Sequence, residues 1–132
     1  MKRFIPPIFF LIISASLIFS WFRFGFVYGG GDVGLPTYDP KRTFDVARYI
    51  WWESAAPGYP VPQGLTSVPL LFMLSFFQLL GFSPVGLQAL LFFTLLFLMG
   101  MGMYLLTLSI FGKENSKWAI LAGIFYLSLI HI

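Results

Sequence analysis

The 132 residues contain no cysteine and only one histidine, His131. A disulfide framework, a thiolate nucleophile and a Cys-based zinc site are therefore excluded, and a His-based metal site is nearly so. Charge is scarce as well. Eight basic and five acidic residues make up 10% of the chain, and the formal net charge of +3 is spread along it rather than clustered. Nucleic-acid binding, which needs a concentrated basic surface, is not indicated. What is present in excess is apolar side chain: 58% of residues are hydrophobic, 20% are aromatic, seventeen are Phe, and the mean hydropathy is +0.86. A chain this short cannot hide so much apolar surface in its own interior. The composition points to an all-α integral membrane protein, with lipid covering the surplus.

Lys2 and Arg3 precede an uncharged run from Phe4 to Phe22, close to the roughly 20 residues that a helix needs to cross the hydrocarbon core. It reads as a first span, 4–22, with the N-terminus cytoplasmic. The small residues Ser14, Ala15 and Ser16 lie in mid-run, and Trp21, Phe22, Arg23 and Phe24 close it as an interfacial anchor, so an uncleaved span is expected rather than a signal peptide.

An extracytoplasmic loop, 23–83, is expected next, with two juxtamembrane helices. Asp39 followed by Pro40 is a helix N-cap signal, and Arg42, Asp45 and Arg48 alternate in sign at helical spacing opposite Phe44, Ala47, Ile50 and Trp51. The pattern predicts a surface helix over 41–54. Residues 65–80 are apolar but carry Pro69 and Gln78. If that run crossed the bilayer, Lys113 and Lys117 would face the side opposite Lys2 and Arg3. The positive-inside rule favours a second surface helix instead. A span over 84–112, a turn around Lys113 to Lys117 and a further span over 118–132 complete the expected topology. The last of these is too short to cross and reads as cut off. Its final residues, Leu127 to Ile132, resemble the translation of a transposase adapter used in DNA library preparation. His131 then carries no chemistry.

Few residues offer chemistry. Asp32 sits in Gly29-Gly30-Gly31-Asp32-Val33-Gly34-Leu35-Pro36. It could act as a general base at the membrane face, or simply bond to its own backbone in a glycine-rich turn. Asp39 is a cap before it is a base, and Asp45 and Glu53 suit charge pairing on a surface helix. The glycine run is no phosphate loop, since no Gly-Lys-Ser or Gly-Lys-Thr follows it. Met99, Met101 and Met103 do not share one helix face, and Gly100 and Gly102 suit close helix packing.

The order of features is that of a known group: one span, Gly31-Asp32 and Asp39-Pro40, a helix leading to Trp51-Trp52, then Val68-Pro69-Leu70, Leu80-Gly81-Phe82-Ser83, Gln88, and a long span to Phe111-Gly112. Nearly the whole chain resembles the N-terminal region of GT-C membrane glycosyltransferases, closest to their arabinofuranosyltransferase-like branch. The resemblance implies a polyprenyl-phosphate-linked sugar donor, a glycan acceptor, and an acidic catalytic base in the first outside loop. Asp32 matches that base by position, with Asp39 as the substitute. Arg23 or Arg48 could face the lipid phosphate. A polytopic transporter or flippase subunit, in which Asp32 is only a turn residue, is the alternative.

Overall fold

The computed structural model describes residues 5–28, 38–49, 51–52, 59–60 and 62–129. In chain order these form α1 (Ile5–Phe22), α2 (Pro40–Ala47), a two-residue antiparallel pairing of β1 (Trp51–Trp52) with β2 (Tyr59–Pro60), a 3₁₀ turn (Pro62–Ser67), α3 (Val68–Leu79), α4 (Pro84–Phe111), a second 3₁₀ turn (Lys113–Asn115) and α5 (Ser116–Leu129). Two of them, α1 and α4, are long and apolar enough to cross a membrane, whereas α3 and α5 are shorter apolar helices. The chain divides into two units, one built from 1–23 and 90–132 and the other from 24–89.

The first unit holds α1, most of α4, and α5. The buried residues of α1 are Pro6, Phe10, Ser14 and Ile18, spaced four apart. Leu96, Gly100 and Tyr104 on α4, and Ala119, Gly123 and Leu127 on α5, repeat that spacing. Residues four apart share one helix face, so each helix contributes a narrow stripe to the interior. At its centre Phe10 is fully buried and lies against both glycines: a Cβ at Gly100 would come 2.7 Å from Phe10 Cδ1, and one at Gly123 would come 2.8 Å from Phe10 Cε1 and 2.9 Å from the Gly100 carbonyl oxygen. Gly102, by contrast, meets nothing within 4 Å. Close packing therefore belongs to Gly100 and Gly123. The Phe10 ring is also tilted against Tyr104, with centroids 6.1 Å apart.

Hydroxyls on these helices turn back to their own backbone. Thr94 donates to Leu90 O and Thr107 to Met103 O, the usual way of satisfying a polar group on an apolar helix. The Tyr104 and Ser116 hydroxyls instead lie 3.4 Å apart between α4 and α5, and Ser14 Oγ is buried with no hydrogen-bond partner. Gly112, at φ 87°, ends α4, a backbone conformation in which only glycine avoids a Cβ penalty.

In the second unit, α2 is shorter than the helix expected over 41–54. It stops at Ala47 with Arg48 as C-cap, and Trp51 and Trp52 pair with Pro60 and Tyr59. The aromatic, β-branched run from Tyr49 to Trp52 favours extended backbone, and this preference overrides the helical charge pattern. Likewise the helix expected over 65–80 is α-helical only from Val68, because Pro69 is accommodated without cost in a first turn and not deeper. The last helix begins at Ser116 rather than at 118.

Candidate functional site

Asp39 is the described carboxylate singled out as a possible base, and its surroundings give it a structural task. Its Oδ1 accepts the Arg42 N–H at 3.2 Å, which caps α2. Its backbone carbonyl accepts both the N–H and the hydroxyl of Thr43, at 3.0 and 2.8 Å. The same Oδ1 also accepts from Gln78 Nε2 at 3.3 Å, and Gln78 Oε1 in turn accepts the Lys41 N–H at 2.9 Å. Gln78 thus uses both ends of its amide to hold the first turn of α2 against the last turn of α3. One turn further along α2, Phe44 packs on Phe72 with centroids 5.9 Å apart. Since the N-terminal end of α2 meets the C-terminal end of α3, the two helices run antiparallel.

The outer face of α2 is charged. Lys41, Arg42, Asp45 and Arg48 are all exposed. Arg48 lies 3.5 Å from Asp45, and its guanidinium stands 5.0 Å from the centroid of the Tyr49 ring. At this exposure the ion pair contributes only about 0–1 kcal/mol.

A second amide does related work at the start of α4. Gln88 is only 1% exposed. Its Oε1 accepts the Tyr28 N–H and its Nε2 donates to the Tyr28 carbonyl, both at 2.6 Å. The side chain takes the place that a neighbouring strand would occupy, satisfying both backbone groups of one residue. Nearby, the Ser83 hydroxyl accepts the Gly86 N–H at 3.2 Å and so caps α4 ahead of Pro84.

Asp32, the first-choice base, lies outside the described residues, as does Glu53. The segment 29–37 that contains Asp32 is flanked by Tyr28, gripped by Gln88, and by Tyr38 and Asp39 at the head of α2. Sequence reasoning marked Gln78 only as a polar interruption of an apolar run, and Gln88 only as one of the residues that carry the family resemblance. An amide in such a run is itself the signal, because burying it without partners is costly. Among the described residues no three His, Asp or Glu side chains gather closely enough to hold a metal ion. What the arrangement offers chemically is two backbone anchors and one engaged carboxylate, with an exposed basic helix face beside them. Comparisons with protein-family models, curated proteins and solved structures give no match to this chain.

Proposed function

We propose that this chain is the membrane-embedded N-terminal part of a glycosyltransferase of the GT-C class, drawing its sugar from a polyprenyl-phosphate carrier. The observation that carries the membrane half of this reading is the surface of α1 and α4. Neither helix holds a charged residue, and only 17% of each apolar window is buried, which supports lipid-facing helices over core helices of a water-soluble fold. Ile8, Ile12, Phe19, Leu98, Leu105 and Ile110 all stand more than half exposed. Hydrocarbon is the solvent in which such a surface is stable.

The catalytic half rests on the resemblance and on the division of labour between two carboxylates. Asp39 is engaged as a cap and clamp, which leaves Asp32 as the base. In the reaction, Asp32 takes the proton of the acceptor hydroxyl. The acceptor oxygen bonds to the anomeric carbon, the bond from that carbon to the phosphate oxygen breaks, and polyprenyl phosphate departs with the electron pair. Holding these groups at the bilayer surface supplies the positioning that such a transfer needs.

Asp32→Asn in the full-length protein decides the point. Sugar transfer from a polyprenyl-phosphate donor is expected to fall by at least a hundredfold with membrane yield unchanged, and retained transfer would remove Asp32 from the mechanism.

A further inference from the structure

Within the unit of 1–23 and 90–132, a groove of about 260 Å³ opens where α4 ends and α5 begins, lined by Thr107, Phe111, Asn115 and Trp118. We propose that this groove holds the upper acyl chain of one anionic phospholipid, whose phosphate meets Lys117. The proposal rests on the reading of the chain as membrane-embedded and adds to it a lipid bound at a defined place.

Local sequence builds the groove. Thr107 and Phe111 stand four apart and so share one face of α4. Gly112 then ends that helix at φ 87°, and Asn115 Nδ2 donates to the Phe111 carbonyl at 2.5 Å, which fastens the turn to the end of α4 and sets Trp118 beside it. Phe111 and Trp118 are 63% and 68% exposed. They are walls of an open slot, not members of a core.

What the lining lacks selects the kind of occupant. The Thr107 hydroxyl donates to Met103 O at 2.9 Å and the Asn115 amide to Phe111 O, so both donors are turned to backbone and the groove presents mainly carbon. A sugar would bury its hydroxyls there without partners, which is costly. The volume also falls below the roughly 300–1,000 Å³ of pockets that enclose a whole small molecule. One part of a longer apolar molecule fits, and an acyl chain is such a part.

The charged residues of the turn select the head group. Lys117 directly precedes Trp118, is exposed, and forms no ion pair among the described residues. Its apolar stem can follow the groove wall while the ammonium stays at the water boundary. Lys113 and Lys117 outnumber Glu114, whose carboxylate lies against Gly112. A phosphate without a compensating amine suits this balance, whereas a zwitterionic head would set its own cation against two lysines. The groove above Gly102, by contrast, has no charged residue beside any of its lining residues in the chain. Nothing there would fix a head group.

The whole chain, purified in mild detergent with equal amounts of phosphatidylglycerol and phosphatidylcholine, is read by native mass spectrometry for retained lipid. One phosphatidylglycerol per chain is expected, preferred about fivefold, the weight of one basic side chain against anionic lipid. Lys117→Gln should abolish the preference. Trp118→Ala should lower total retention severalfold, Trp118→Phe should restore it by replacing the wall, and Leu105→Ala, an exposed α4 position outside the groove, should match the unaltered chain. Equal retention of the two lipids by the unaltered chain would overturn the proposal, as would full retention by Trp118→Ala or an equal loss in Leu105→Ala. Release of the chain from membranes by alkaline wash would instead refute the membrane reading itself, so the two failures are told apart.

Discussion

A methyl group added at Gly123 would sit 2.9 Å from the carbonyl oxygen of Gly100 and 2.8 Å from Phe10 Cε1. Favourable contact between such atoms begins at roughly 3.5 Å. The Phe10 ring could shift, but the carbonyl belongs to the backbone of α4 and cannot rotate away. α4 and α5 must therefore part by roughly 0.5–1 Å, a gap that forfeits a quarter to a half of the dispersion energy along the contact. Overpacking of this kind costs about 2–3 kcal/mol, offset by about 1 kcal/mol because Ala is the better helix former. Gly123→Ala should lose about 1–2 kcal/mol net. At Gly100 the clashing atoms are side-chain atoms of Phe10 and Leu127, which can yield, so Gly100→Ala should lose about 0–1 kcal/mol. Gly102 faces open space, and Gly102→Ala should be neutral or stabilising by up to about 1 kcal/mol. Unfolding by SDS titration from mild micelles, followed by tryptophan fluorescence, measures all three. The order Gly123, Gly100, Gly102 is the prediction, and a Gly123→Ala protein as stable as Gly102→Ala would refute the three-stripe interior.

Gln78→Leu removes the bonds to Lys41 N and Asp39 Oδ1 and should cost about 1 kcal/mol, seen as faster hydrogen exchange in the first turn of α2. Gln78→Glu should be worse at neutral pH, since it sets a second carboxylate against Asp39, and should recover under acid. Gln88→Leu removes the amide bonded to the N–H and C=O of Tyr28 and should destabilise by about 1–3 kcal/mol, with loss of exchange protection at the Tyr28 amide as the readout. Asp39→Asn keeps the capping oxygen and should leave stability intact and, on the proposed glycosyltransferase reading, sugar transfer as well, whereas Asp39→Ala should cost about 1 kcal/mol. A large loss of transfer in Asp39→Asn would move the base from Asp32 to Asp39.

The termini of the long helices were legible because they depend on neighbours in sequence. Ser83-Pro84 starts α4 and Gly112 ends it, within a residue of the expected 84–112. Asp39-Pro40 marks the start of α2 for the same reason. The end of α2 was not legible, since Trp51 and Trp52 leave the helix to meet Tyr59 and Pro60, and strand pairing depends on a partner that periodicity does not reveal. Gln78 and Gln88 were visible as polar residues in apolar runs, but their partners are backbone atoms 37 and 60 residues away. Gly100 and Gly102 look alike in sequence and differ only in what stands opposite them. Gly123 carried no signal at all. Asp32, first choice from position and resemblance, lies outside the described residues.

The grip of Gln88 on Tyr28 also sets an order of events during biosynthesis. Tyr28 leaves the ribosome 60 residues ahead of Gln88, roughly 3–12 seconds earlier at ordinary elongation rates. By then α1 has been made in full, while the Gln88 amide that bonds the Tyr28 backbone has not yet been synthesised. When α4 emerges, its amide ties the segment just after α1 to the start of α4. The 59 residues between Tyr28 and Gln88 are then enclosed as a loop, and that loop already contains both helices of the α2–α3 hairpin.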